Sequence, residues 1–275
     1  MLPIQKILLP VDFSERCLRM TVYAKAVAMH YGAELTLLHV VNPMYTFPAT
    51  AISGPTMVPI SDSQINEREE QLEQFAVEEL RGVELRRLVY EGDPESQIAG
   101  FVESENVQLV VMPTHGYGVL RRFLIGSVTA KVLHDVACPV LTGVHLDPHR
   151  DRSPRFSNVL CAVDFDPHNQ ATLSWAAQFA ADFGAQLGIV HAVSDEELAA
   201  QAAEDLRTLQ EATGTTSANV HIQEGEPSHT VCSLAETLGA DLLVIGRGAR
   251  EGLTGTLTTT AYAIVRQSPC PVVSV

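Results

Sequence analysis

Residues Val110–Leu141 read VVMPTHGYGVLRRFLIGSVTAKVLHDVACPVL. The stretch opens on an apolar run, Leu109 to Met112, short enough to be a buried strand. A turn-rich segment, Pro113-Thr114-His115-Gly116-Tyr117-Gly118, follows. Gly126-Ser127 then leads into a helical pattern, and Cys138-Pro139 opens another short apolar run. A strand running into glycines and then a helix is how a parallel α/β sheet presents backbone N–H groups to an anion. Glycine lets the backbone approach closely, because no Cβ stands in the way. Ser127 adds a hydroxyl at the first turn, where N–H groups lack intrahelical partners. The stretch is read as a nucleotide-phosphate cradle. Ordinary turn chemistry and a simple helix cap would use the same residues, and short glycine motifs match by chance.

Upstream of this stretch the chain alternates strand and helix. Lys6–Phe13 (KILLPVDF) is a short buried strand ending in an acid, Asp12. The next segment carries Cys17, Met20, Thr21, Ala24, Val27, Ala28 and Tyr31 at helical spacing and ends at Gly32. Leu35–Val41 is apolar and β-branched, as expected of a strand covered on both faces. Met44–Ile60 is proline-rich and uncharged, and reads as a long loop. An acidic helix is predicted from Ser61 to about Arg81, with Leu72, Phe75, Ala76 and Leu80 inward. Glu84–Glu91 is a third strand, and Asp93-Pro94 supplies a cap and a first-turn proline for a helix to about Asn106.

Beyond a polar segment, His145–Phe156, the pattern begins again. Asn158–Phe165 echoes the first strand down to Val-Asp-Phe. Phe183-Gly184-Ala185 with Leu187–Val193 echoes Tyr31-Gly32-Ala33 with the second strand. Glu224-Gly225-Glu226-Pro227 matches Glu91-Gly92-Asp93-Pro94, Asp241–Ile245 matches Gln108–Met112, and Cys270-Pro271-Val272 matches Cys138-Pro139-Val140. Matches in the same order mark a tandem duplication: residues 1–145, a linker at 146–156, and residues 157–275. Each copy is expected to be an α/β, Rossmann-like domain with five mainly parallel strands and helices on both faces. Ligands in such sheets bind at strand carboxyl ends, where Asp12, Val40 and the Met112–Gly116 segment fall.

The 275 residues suffice for two cores, and a hydrophobic content of 46% excludes a disordered chain. A net charge of −15 argues against nucleic acid as a partner, since phosphate backbones need a basic face. No apolar run reaches the roughly 18–20 residues that span a bilayer, and the short N-terminal apolar segment followed by Asp12 does not resemble a secretory signal. A cytoplasmic location is expected. The five cysteines are scattered without a CxxC, which disfavours a disulfide or zinc framework.

Gly116, nine intervening residues, then Gly126-Ser127 resembles the G-x2-G-x9-G-[ST] signature of the universal stress protein family. Where the family has its first glycine this chain has Pro113, which offers no N–H. The resemblance extends over both copies. It implies strand order 3-2-1-4-5 in each, and an ATP site, with Mg2+, in the first. There Asp12 would approach the ribose or adenine, and Val40 would meet the base through its backbone. Met112, Gly116, Gly126, Ser127 and Val128 would line the rest of the nucleotide site. The second copy keeps Asp164, Gly246 and Gly248 as a degenerate site, but sets Thr258-Thr259 at the place of Gly126-Ser127. A β-branched residue there adds bulk and resists positive φ.

His39 and His191 read as strand-end hydrogen bonders, and Arg121 and Arg122 as surface residues. No Walker loop is present, and Gly246-Arg247-Gly248 fails as a dinucleotide motif because Glu251 stands at its third glycine position. Three readings remain: an ATP-binding stress or signalling module with a protein partner, a weak ATPase using His115 as base, and a nucleotide-free scaffold. The apolar last strands, Val140–Val144 and Val272–Val275, predict pairing between the domains and then a homodimer.

Overall fold

The computed structural model of the chain describes residues 4–46, 56–58, 60–114, 125–143, 154–165, 169–248 and 258–275. The first copy runs β1 (Lys6–Pro10), α1 (Glu15–Tyr31), β2 (Glu34–Val41), β3 (Met44–Thr46), β4 (Thr56–Val58), α2 (Asp62–Gln74), β5 (Leu85–Glu91), α3 (Pro94–Glu105), β6 (Leu109–Pro113), α4 (Ser127–Asp135) and β7 (Val140–Gly143). The second runs β8 (Asn158–Ala162), α5 (Asn169–Phe183), β9 (Gln186–Val193), a short 3-10 turn, α6 (Ala199–Thr213), β10 (Asn219–Glu224), α7 (Pro227–Thr237), β11 (Leu242–Ile245), α8 (Thr259–Gln267) and β12 (Val272–Ser274).

Strand order is β5-β2-β1-β6-β7 in the first copy and β10-β9-β8-β11-β12 in the second. Both are 3-2-1-4-5 when the five main strands of each copy are numbered in turn. β1 pairs with β2 in parallel from Lys6↔Glu34 to Pro10↔Leu38, and β8 pairs with β9 in the same sense from Asn158↔Gln186 to Ala162↔Val190. Strands covered on both faces by helices must be apolar throughout. Ile7, Leu8 and Leu9 of β1 and Leu109 to Met112 of β6 are accordingly buried.

The last strands are where the copies meet. β7 pairs antiparallel with β12, in register Thr142↔Val272, Leu141↔Val273 and Val140↔Ser274. Each apolar edge is thereby covered within one chain, which removes the exposed template that the homodimer expectation rested on. The chain divides into compact units at a different place from its repeat. One unit is Ile4–Val111, and the other contains Met112–Val275, the end of the first copy included. Phe156, at the end of the expected linker, is buried and edge-on to Phe179 and Phe183, at 5.1 and 5.0 Å between ring centroids.

Local signals explain most element ends. Ser14 accepts from Cys17 N at 3.1 Å to start α1, and Gly32 closes that helix at φ 63°. Asp93 caps α3 with Pro94 at its first position, and Asn106 ends it in the left-handed region. Two expectations need correction. The acidic helix stops at Gln74 rather than near Arg81, because Phe75 turns out with extended backbone and Ala76 takes φ 53°. Phe75 leaves the helix to meet the Phe13 ring edge-on, 5.7 Å between centroids. The segment after β2 is not wholly loop, since β3 and β4 pair antiparallel from Met44↔Val58 to Thr46↔Thr56. Residues 47–55 between them lie outside the described residues, as do residues 146–153 of the linker.

Candidate functional site

Asp12 and Val40 belong to the unit Ile4–Val111. Asp12 follows β1 and its Oδ1 accepts from Ser14 N at 3.0 Å and Ser14 Oγ at 2.7 Å. The carboxylate thus orients the residue that caps α1, and also lies at the start of a helix whose dipole favours an acid. Between Asp12 and Ser14, Phe13 adopts φ 61°, unusual for a bulky residue, and its ring lies 4.6 Å from that of His39. His39 Nδ1 is 2.7 Å from Val11 O. Burial chiefly pushes the imidazole below its usual range, and Arg68 adds to this, against the opposing pull of the Val11 carbonyl and Asp12. His39 is therefore the neutral imidazole, donating from Nδ1 to that carbonyl. Val40, half-buried on β2, sits opposite Tyr90 of β5.

The second copy repeats this corner. Phe165 takes φ 63°, its ring lies 4.3 Å from His191, and His191 Nδ1 is 2.8 Å from Val163 O. Asp164 differs from Asp12, with Oδ1 accepting from Asn169 Nδ2 at 3.0 Å. Nothing in a strand pattern announces a left-handed phenylalanine, so the sequence reading missed it. The shared Val-Asp-Phe was its visible trace.

Met112, Gly126, Ser127, Val128 and the second-copy residues Asp164, Gly246 and Gly248 belong to the unit that contains Met112–Val275. Met112 is buried near the end of β6, and Pro113 O accepts from Thr129 Oγ1 at 3.0 Å, tying the strand end to α4. Gly116 lies outside the described residues, as do His115, Arg121 and Arg122.

The entrances to α4 and α8 share a pattern of backbone hydrogen bonds. Thr114 N donates to Gly143 O and Arg247 N to Val275 O, each at 3.3 Å. Gly126 N donates to Thr114 O at 2.8 Å, and Thr258 N to Arg247 O at 3.0 Å. Thr114 therefore corresponds to Arg247, and Gly126 to Thr258. Gly126 has φ −62° and ψ 151°, while Thr258 has φ −67° and ψ 160°. This corrects the expectation that the glycine is needed for positive φ: both residues use ordinary extended backbone.

The difference lies in what caps the helix. Thr258 Oγ1 accepts from Ala261 N at 3.2 Å, which satisfies one of the free N–H groups of α8. Gly126 gives α4 no side-chain cap. Gly248, at φ 78°, packs so tightly on Thr258 that an added Cβ would collide with the threonine methyl. In the second copy the helix entrance is filled by its own side chain. In the first, the N-terminal amides of α4 lie behind an exposed Ser127 and half-buried Gly126 and Val128.

Two residues absent from the expected site reach from the second copy into the first. Arg247 is 6% exposed, and its guanidinium donates to Val136 O, Cys138 O and Ser274 O. Tyr262 Oη accepts from Ile125 N at 3.1 Å. Their signal in the sequence was size, a large polar residue where the first copy has Thr114 and Ala130. A cavity of about 630 Å³ lies elsewhere, beside α2 and β5, lined by residues including Asn66, Glu69, Glu73 and Arg87, and contains none of the expected site residues. No helix among the described residues is long and apolar enough to cross a membrane, and no cluster of three metal-ligating side chains occurs among them.

Comparison with known proteins covers both copies. The model of the universal stress protein family matches residues 3–142 and 155–275. A universal stress protein of Mycolicibacterium smegmatis is 27% identical over 285 residues, 95% of this chain and 93% of that protein. One from Methanocaldococcus jannaschii is 32% identical over 140 residues, covering 50% of this chain and 80% of its own length. The crystal structure of a universal stress protein from Archaeoglobus fulgidus aligns with TM-score 0.72 at 28% identity, over 98% of this chain and 96% of that one. With the family pattern present twice and the same architecture along its length, the chain belongs to the universal stress protein family.

Proposed function

We propose that the chain is an adenine-nucleotide-binding stress or signalling module, taking ATP with Mg2+ at its first copy and acting through a protein partner. The observation that carries this reading is the uncapped N-terminus of α4 at Gly126, set against the self-capped α8 at Thr258. A helix start without a side-chain cap offers backbone N–H groups and the positive end of the dipole to phosphate oxygens. Ser127 and Val128 would supply amides, with Gly116 before them. Met112 would line the site, and Asp12 and Val40 would serve the nucleoside. Pro113 provides a carbonyl to Thr129 but no N–H, so one amide of the family pattern is missing here. Asp164, Gly246 and Gly248 form the degenerate counterpart, left without a nucleotide.

A homodimer would require another surface than the last strands, since β7 and β12 use each other's edge. The test is calorimetry and thermal melting of the whole chain with Mg-ATP. A site filled to about 100 times its dissociation constant adds about 2.7 kcal/mol of stability. No heat of binding and no shift in melting would overturn the reading in favour of a nucleotide-free scaffold.

A further inference from the structure

α4 is one of the two shortest α-helices among the described residues, nine residues long, yet it is held at both ends by side chains from the other copy. At its start, Tyr262 of α8 accepts the amide proton of Ile125, the residue just before the Gly126 cap. At its end, the Arg247 guanidinium donates to the carbonyl of Val136, the C-cap, and to that of Cys138 in the following turn. The same guanidinium donates to Ser274 O at 3.2 Å, on the strand that pairs with β7. A cation against the final carbonyls of a helix is the arrangement the dipole favours.

The matching positions of the first copy carry shorter side chains. Ala130 N donates to Gly126 O and Tyr262 N to Thr258 O, so Ala130 is the counterpart of Tyr262, as Thr114 is of Arg247. Neither short side chain has the reach of its partner. A buried guanidinium satisfied by carbonyls alone is costly, with Nε unpartnered among the described residues. Such a group persists where it fixes a geometry that apolar packing would leave loose.

We infer that the second copy, instead of binding a nucleotide, positions the first copy's phosphate seat: Tyr262 fixes the backbone entering Gly126, and Arg247 anchors the far end of α4. The positioning role rests on the nucleotide reading above, while the grip itself does not. Both are tested on the full chain with Tyr262→Phe, which keeps the ring and removes only the acceptor.

Two measurements separate the outcomes. Hydrogen exchange of the ligand-free variant should accelerate at the amides of Ile125 and the first turn of α4 and nowhere else, with circular dichroism unchanged. Affinity for Mg-ATP by calorimetry should fall about 3–10-fold, the range of one neutral hydrogen bond. Faster exchange with unchanged affinity would overturn the positioning role. Unchanged exchange would overturn the grip. If the unaltered chain takes no Mg-ATP, the nucleotide reading falls and takes the positioning role with it, and the exchange result alone decides the grip.

Discussion

The entrances to α4 and α8 have the same backbone and opposite chemistry. Both follow a fourth strand, both cap residues lie near φ −65°, and both accept the same intrahelical bond. In one, a glycine supplies no side-chain cap, and in the other a threonine hydroxyl caps the helix from within. On the proposed nucleotide reading, a degenerate site need not be a damaged one. Capping α8 internally stabilises that copy by the worth of a helix cap, about 1 kcal/mol, and its larger side chains, Arg247 and Tyr262, hydrogen-bond to the backbone of the other copy. On that reading, the duplicated fold lets one copy specialise in stability and leaves the other for a ligand.

The strongest test of this contrast is to move one residue across it. Gly126→Thr should keep the fold, because Thr258 already shows that threonine fits this backbone. It should abolish nucleotide binding, by about 10³-fold if two or three charge-assisted bonds are lost. Calorimetry that returned the original affinity would remove the cradle from this place. Stoichiometry belongs to the same experiment: one nucleotide per chain is expected, and two would show the second copy to be competent. The whole chain should be used, since cutting it at the linker would expose β7 and β12.

Arg247→Ala comes next. It leaves three carbonyls without their donor in a buried place, and about 3 kcal/mol of stability should go with it. The matching substitution, Thr114→Ala, removes the buried hydroxyl's bond to Gly143 O and should cost less, on the order of 1 kcal/mol for that bond. Equal losses in urea unfolding would show that Arg247 bears no special load. Thr258→Ala should also cost about 1 kcal/mol, through the lost cap of α8. The smallest effect concerns His39. Its folded pKa lies below the usual 6.5, so the unfolded chain takes up the proton first. Its share of stability is present above pH 6.5, is lost as pH falls through that value, and stops falling below the folded pKa. His39→Gln should flatten the melting profile where pH falls through 6.5, and an unchanged slope would assign it to other groups.

Much of this molecule was legible from short-range signals. The turn at Gly32, the Asp93-Pro94 start of α3 and the buried runs of β1 and β6 follow from capping rules and hydrophobic runs within a few residues. The repeat exposed the second copy, and the Gly126-Ser127 signature marked where the copies would differ. The extension of α2 past Gln74 was misread because Phe75, Ala76 and Leu80 keep helical spacing. The chain instead breaks there so that Phe75 can meet Phe13, about sixty positions away. The positive φ of Phe13 and Phe165 was invisible for a like reason, since each ring packs on a histidine of the next strand, far along the chain.

What the sequence by itself determined was therefore the element list, the duplication and the chemistry available at each strand end. Those depend on side-chain periodicity and on backbone preferences of neighbouring residues, which any stretch carries with it. The apolar last strands foretold that the copies would pair, but only the tertiary structure decided their antiparallel register, and that Arg247 would reach Val136 and Tyr262 would reach Ile125. These contacts join residues more than one hundred positions apart. Their free energy exists only once both copies are folded and closely packed, so a local pattern can mark an apolar edge but not the residue each side chain will reach.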